Sequence, residues 1–189
     1  MIKFDLPKSL EINGKEWNIR TDYRDILTVI SAFDDPDLEP AEKVYICLHN
    51  IYVDFEDIPQ EQYKDAFEAA MDFINRGGED EKAKSRKKNM DWEQDANLIF
   101  PAVNRVAGCE VRAVEYLHWW TFFGYFMEIT DGVYSTVLSL RAKKNSGKKL
   151  EKWEQEWWNK NLSICKIKTK YTQEELDKQA RYKAMLGGR

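Results

Sequence analysis

The stretch from Val114 to Ile129, VEYLHWWTFFGYFMEI, constrains this chain more than any other. Val114, Tyr116, Leu117, Trp119, Trp120, Phe122, Phe123, Tyr125, Phe126, Met127 and Ile129 sit among few polar residues. A helix over about 113–129 is apolar on nearly every face, and a soluble chain must surround it with other elements. Thr121, Gly124 and Glu128 make one narrow polar line, with Glu115 and His118 at its margin. The stretch is shorter than a membrane span and carries Glu115, His118 and Glu128, so it reads as a core helix.

The remaining elements supply what such a helix needs. Asn13-Gly14 joins two alternating runs, Ser9–Ile12 and Glu16–Arg20, and predicts an N-terminal β-hairpin at about 9–20. Two strands alone are marginal, so the hairpin must pack on helices or pair with another edge. Tyr23, Ile26, Leu27, Ile30 and Phe33 predict a first helix capped by Thr21 or Asp22. A second helix opens at Pro40, with a stripe running from Ala41 to Phe55. A third starts near Pro59 and stops at Gly77-Gly78. The charged run at about 78–90 reads as a linker. A fourth helix opens at Asp91, is kinked or restarted by Pro101, and closes at Gly108. Helices follow over about 133–143 and 150–162. These elements make a single, mainly α-helical domain over 1–162, a bundle around the aromatic helix. Residues 163–189 read as a basic C-terminal tail, partly helical or disordered, with a capping box at Thr172–Glu175.

Charge is segregated along the chain. Residues 141–189 hold fourteen Lys/Arg against six Asp/Glu, +8, which leaves −12 on residues 1–140 and −4 on the whole. An acidic body with a basic end suits self-association into a homo-oligomer, or an acidic partner. Cys47, Cys109 and Cys165 are far apart and odd in number, so neither a disulfide framework nor a metal motif is expected. The start MIKFDLPKSL has no apolar h-region, so no secretory signal is read there. A cytosolic protein without a membrane partner is expected.

No phosphate-binding glycine loop, dinucleotide fingerprint, nucleophile elbow or zinc-helix motif occurs, so no enzyme, catalytic residue or cofactor is expected. On a helix Asp91 and Asp95 share a face while Glu93 points away; capping and the helix dipole explain these acids better than a metal. Cys47 and His49 diverge on their helix and read as packing residues. His118, beside Trp119-Trp120, reads as a hydrogen-bonded core histidine that Glu115 can reach across one turn. Trp153, Trp157 and Trp158, with Lys149 and Lys152, are the expected partner-binding cluster, since tryptophan flanked by cations suits a contact surface. Glu151, Glu154 and Glu156 on that helix argue against nucleic acid there.

Two strings carry a family resemblance: DWEQD at Asp91–Asp95, leading into Ile99-Phe100, and YLHWWTF at Tyr116–Phe122. Weaker support comes from the hairpin and first helix, from Phe73–Gly78 ahead of the linker, and from the helix around Trp157. Over about residues 3–162 the chain resembles the tailed-phage and prophage "gene product fifteen" family. Pro101 and the long Lys143–Lys149 turn depart from the family pattern. The resemblance implies a tail-assembly chaperone encoded beside the tape-measure protein. Such a protein binds the tape-measure protein and helps recruit tail-tube subunits in the host bacterial cytoplasm. The alternatives are a minor structural tail protein of the virion and a nucleic-acid-binding module using the basic C-terminal region.

Overall fold

The computed structural model describes residues 5–76 and 88–185. The chain is mainly α-helical with a two-stranded antiparallel hairpin, β1 (Ser9–Ile12) and β2 (Lys15–Asn18). Leu10 lies opposite Trp17. Asn13 and Gly14 turn the hairpin with φ of 50° and 80°, the two left-handed residues that its tight turn requires. The hairpin finds both supports expected of it. It packs on α3 (Tyr63–Ile74), and Val53 N–H donates to Asn18 O while Arg20 N–H donates to Ile51 O.

Helix α1 (Tyr23–Phe33) is N-capped by Asp22, whose carboxylate accepts from the Arg24 N–H. Helix α2 (Pro40–Ile51) opens with Pro40 and a Glu39/Glu42 capping box. It stops earlier than its apolar stripe suggests. Tyr52 leaves the helix to bridge Ile19, and Phe55 lies in a separate 3-10 turn. Helix α3 follows another 3-10 turn, Gln60–Gln62. Helix α4 (Ala96–Ala107) ends on Gly108 at φ +70°. It runs through Pro101 as one helix, not as two: the proline is solvent-exposed, where water can reach the Asn97 carbonyl that it leaves without a helical donor.

Helix α5 is shorter than the sequence suggests, Trp119–Met127 instead of about 113–129. Residues 111–113 form a 3-10 turn, and the next five residues pair with the start of α1. Tyr23 N–H donates to Leu117 O at 3.0 Å, and Trp119 N–H donates to Thr21 O at 2.7 Å. Leu117 N–H donates to the Asp22 carboxylate, and Arg24 donates to Val114 O at 2.6 Å. These bonds commit the backbone of 114–118 to another element, so it cannot close helical bonds with itself. Nor is the aromatic helix wrapped on all sides. Trp119 and Phe122 are buried, Trp120, Phe123, Tyr125 and Phe126 are half-buried, and Met127 is 62% exposed.

The C-terminal third comprises α6 (Gly132–Asn145), α7 (Lys152–Lys160), the short α8 (Leu162–Cys165) and α9 (Gln173–Met185). The main core gathers Ile26, Val29, Leu48, Ile51, Phe73, Ile99, Val103 and Trp119, among others. A second, small core joins Leu140, Trp158 and Cys165. The two are linked by Arg141, which is 4% exposed. Its five N–H donors match five acceptor contacts: Asp95 Oδ2 at 2.6 Å, Asp95 Oδ1 at 2.8 Å, Asn89 O, Ile164 O and Cys165 O. The linker expected at about 78–90 lies outside the described residues up to position 87. Its last residues are docked, with Lys88 paired to Asp34 and Asn89 bound to Arg141.

Breaking a buried pair by removing one partner costs roughly 3–5 kcal/mol. Asp95→Asn and Arg141→Met are each expected to lower unfolding stability by about that amount in a denaturant titration.

Candidate functional site

The strings DWEQD and YLHWW turn out to be internal wiring. Asp91 accepts from the Glu93 and Gln94 N–H groups, but it closes a turn and does not open the fourth helix, which begins at Ala96 and not at Asp91. Trp92 packs on Trp119, Phe122 and Phe126. Glu93 pairs with Lys170, Gln94 exchanges two hydrogen bonds with the Lys168 backbone, and Asp95 holds Arg141. Asp91 and Asp95 do share the buried side, and Glu93 points outward.

In the second string the Tyr116 hydroxyl meets the Thr21 hydroxyl at 2.7 Å. His118 is 3% exposed; its Nδ1 accepts from the Trp120 N–H and its Nε2 donates to Pro7 O. It is thus a satisfied core histidine, bound by Pro7 and not by Glu115. Trp119 and Trp120 donate through their indole nitrogens to Ile74 O and Phe73 O at the end of α3. The polar atoms of these side chains are engaged within the fold, which they hold together. Among the described residues no group of His, Cys, Asp and Glu is placed to hold a metal ion.

The expected partner cluster is split by the structure. Trp158 is 6% exposed in the second core, with the Lys144 ammonium 4.4 Å from its ring centre. Trp157 is half-buried. Trp153 is 57% exposed, and Lys149 and Lys152 are exposed beside it. The helix turns this way because Glu154 faces inward. Its carboxylate accepts from the Glu151 N–H and pairs with Lys143, and Trp158 lies one turn further on the same side. The Lys143 hydrogen bond holds the Glu154 carboxyl below its usual range.

A second surface was not singled out in the sequence. On α5, Trp120, Phe123, Gly124 and Met127 fall on one face by helical spacing, and all four are at least partly exposed. The Arg76 guanidinium lies over the Trp120 and Phe123 rings. A Cβ added at Gly124 meets no neighbouring atom within 4 Å. The face is thus aromatic, bordered by one cation, with open space over the glycine. Composition hid it, because near-uniform apolarity does not say which face the tertiary contacts leave uncovered.

A family model described as bacteriophage Gp15 protein matches residues 2–172. The chain belongs to this family. No curated protein and no solved structure matches it. The Gp15 match extends past Leu162 to Thr172 and so includes the segment through Lys168 and Lys170 that docks on the DWEQD turn. It stops where α9 begins; every described side chain of α9 is exposed. Among the described residues no helix is long and apolar enough to cross a membrane.

Burial pushes the Cys47 thiol up to about 12, and Cys165 is raised by the same cause, while Cys109 is exposed. A thiol reagent at neutral pH is expected to modify Cys109 rapidly, and Cys47 and Cys165 only after denaturation. The Glu154 shift also has a readable sign. A lowered folded value contributes stability above the ordinary value of 4.5, lost as pH falls through the folded value. An acid titration is therefore expected to shift Trp158 fluorescence below about pH 4.5, and Glu154→Gln to remove that acid-dependent component.

Proposed function

We propose that this chain is a tail-assembly chaperone of a phage or prophage, acting by contact instead of catalysis. It binds the tape-measure protein in the host cytoplasm and helps recruit tail-tube subunits. Membership of a bacteriophage family supports the setting. The observation that carries the reading is the open aromatic face of α5 around Gly124.

A tape-measure protein is expected to be a long helical chain with apolar seams that need cover before polymerisation. A helix-in-groove contact provides such cover. Trp120, Phe123 and Met127 supply apolar area, and the missing side chain at Gly124 allows a partner helix to approach closely. Release on assembly requires modest affinity at each site, with many copies on one tape-measure chain supplying avidity.

Gly124→Glu separates this function from folding. Gly124 has no positive φ, and the added Cβ meets no neighbour, so the variant is expected to fold with stability equal to or above the parent, by up to about 1 kcal/mol. On co-expression the parent keeps a tape-measure fragment soluble and Gly124→Glu does not. Equal solubility with parent, variant and no chaperone would overturn the reading.

A further inference from the structure

The charge segregation seen along the sequence partly meets in the fold, where Asp35 and Asp37 line one cleft with Lys170, and partly leaves two patches without a partner among the described residues. Residues 34–72 hold twelve acidic side chains against Lys43 and Lys64, a net −10. Within them the loop between α2 and α3 carries several of the acids. Asp54, Glu56 and Asp57 are exposed beside Val53, 47% exposed, and Tyr45, 53% exposed. Tyr45 stands edge-on to Phe55 at 5.4 Å, so the acids and the exposed ring form one patch. No hydrogen bond or ion pair from the described residues engages these three carboxylates.

Residues 143–170 hold nine lysines against three glutamates, a net +6. Lys143 and Lys170 are paired within the chain, and Lys144 lies over Trp158. Lys148, Lys149, Lys152 and Lys160 are exposed, and no ion pair from the described residues engages them. Trp153, on the same helix as Lys152 and Lys160, is 57% exposed, its indole nitrogen donating to the Glu151 carboxylate. A cleft of about 410 Å³ opens between Lys144, Lys148, Lys149 and Gln155. This basic face is set by α7 packing on α8, and the acidic loop by α2 packing on α3.

We propose that the basic, Trp153-bearing face of α7 docks on the acidic, Tyr45-bearing loop between α2 and α3 of a second copy of this chain. The two patches differ, so the contact is heterologous: each copy uses its basic face on one neighbour and its acidic loop on the other. Such a contact propagates into a ring or a filament and does not close as a symmetric pair. Opposite charge supplies orientation and encounter rate, and the Trp153 and Tyr45 rings supply desolvated area at its centre. The contact involves neither Gly124 nor its neighbours on α5, so it stands or falls apart from tape-measure binding.

Purified chain alone tests it, by sedimentation velocity and light scattering. The wild type is expected to pass beyond dimer with rising concentration. That association should weaken roughly tenfold or more as salt rises from about 0.01 M to 1 M, where the screening length falls from about 30 Å to 3 Å. Glu56→Lys with Asp57→Lys leaves only the basic face, and Lys149→Glu with Lys152→Glu leaves only the acidic loop. Each double variant alone is expected to be a folded monomer by circular dichroism and sedimentation. Mixed in equal amounts, they associate again, because the intact basic face of one meets the intact acidic loop of the other. Four results overturn the proposal: a wild type that stays monomeric or stops at dimer; a double variant that associates as the wild type does; mixed variants that remain monomers; or a basic face that binds duplex DNA with no self-association at any salt.

Discussion

The guanidinium of Arg141 holds the molecule together at one point. It reaches from α6 to the carboxylate that starts α4, to the exit of the linker at Asn89, and to the last two carbonyls of α8. A charge this deep is tolerable only because its donors and the carboxylate opposite are both satisfied; Asp95 also accepts from the Asp91 N–H. Since each partner comes from a different element, the geometry of the pair fixes how the second core sits on the first. A planar fork of donors does this better than an apolar contact, which tolerates sliding.

The same requirement for satisfied polar groups explains the two recognisable strings. Each residue from Asp91 to Asp95 contacts something far along the chain or caps its own turn. Tyr116 to Trp120 tie the start of α1, the end of α3 and the N-terminal arm at Pro7 to one another. Such residues are hard to exchange because replacing one leaves a buried donor or acceptor without a partner. That is a physical reason for these residue types at these positions. It also moves attention from the signature to the surfaces it supports: the outer face of α5, the basic face of α7 and the acidic loop before α3. The first is aromatic and nearly uncharged, the other two carry opposite charge, and each suits a different occupant.

Much of the fold was legible because local rules and tertiary demands agree. Asn13-Gly14 had to turn, Thr21 or Asp22 had to cap and Asp22 does, Pro40 had to open a helix, and Thr172 with Glu175 closes its capping box as written. Legibility ended where a distant element overrides local preference. The residues before Trp119 have helical composition, yet the Asp22 carboxylate and the Tyr23 and Arg24 donors draw them into extended pairing. Trp158 and Trp153 look equivalent in sequence, yet an inward Glu154 places one in a core and the other in solvent.

By itself, then, the sequence determined a mainly helical chain with an N-terminal hairpin, an aromatic centre, segregated charge and no catalytic motif. These follow from periodicity, turn chemistry and composition, which act over a few residues. Tertiary structure decided where α5 begins, which of its faces stays open, which tryptophan is available and that Arg141 and Asp95 meet. Those outcomes depend on groups apart in sequence: 11 positions for Lys143 and Glu154, 46 for Arg141 and Asp95, and more for the bonds between residues 21–24 and 114–119. No local pattern encodes such a meeting, because only the folded chain brings the donor and the acceptor within hydrogen-bonding reach.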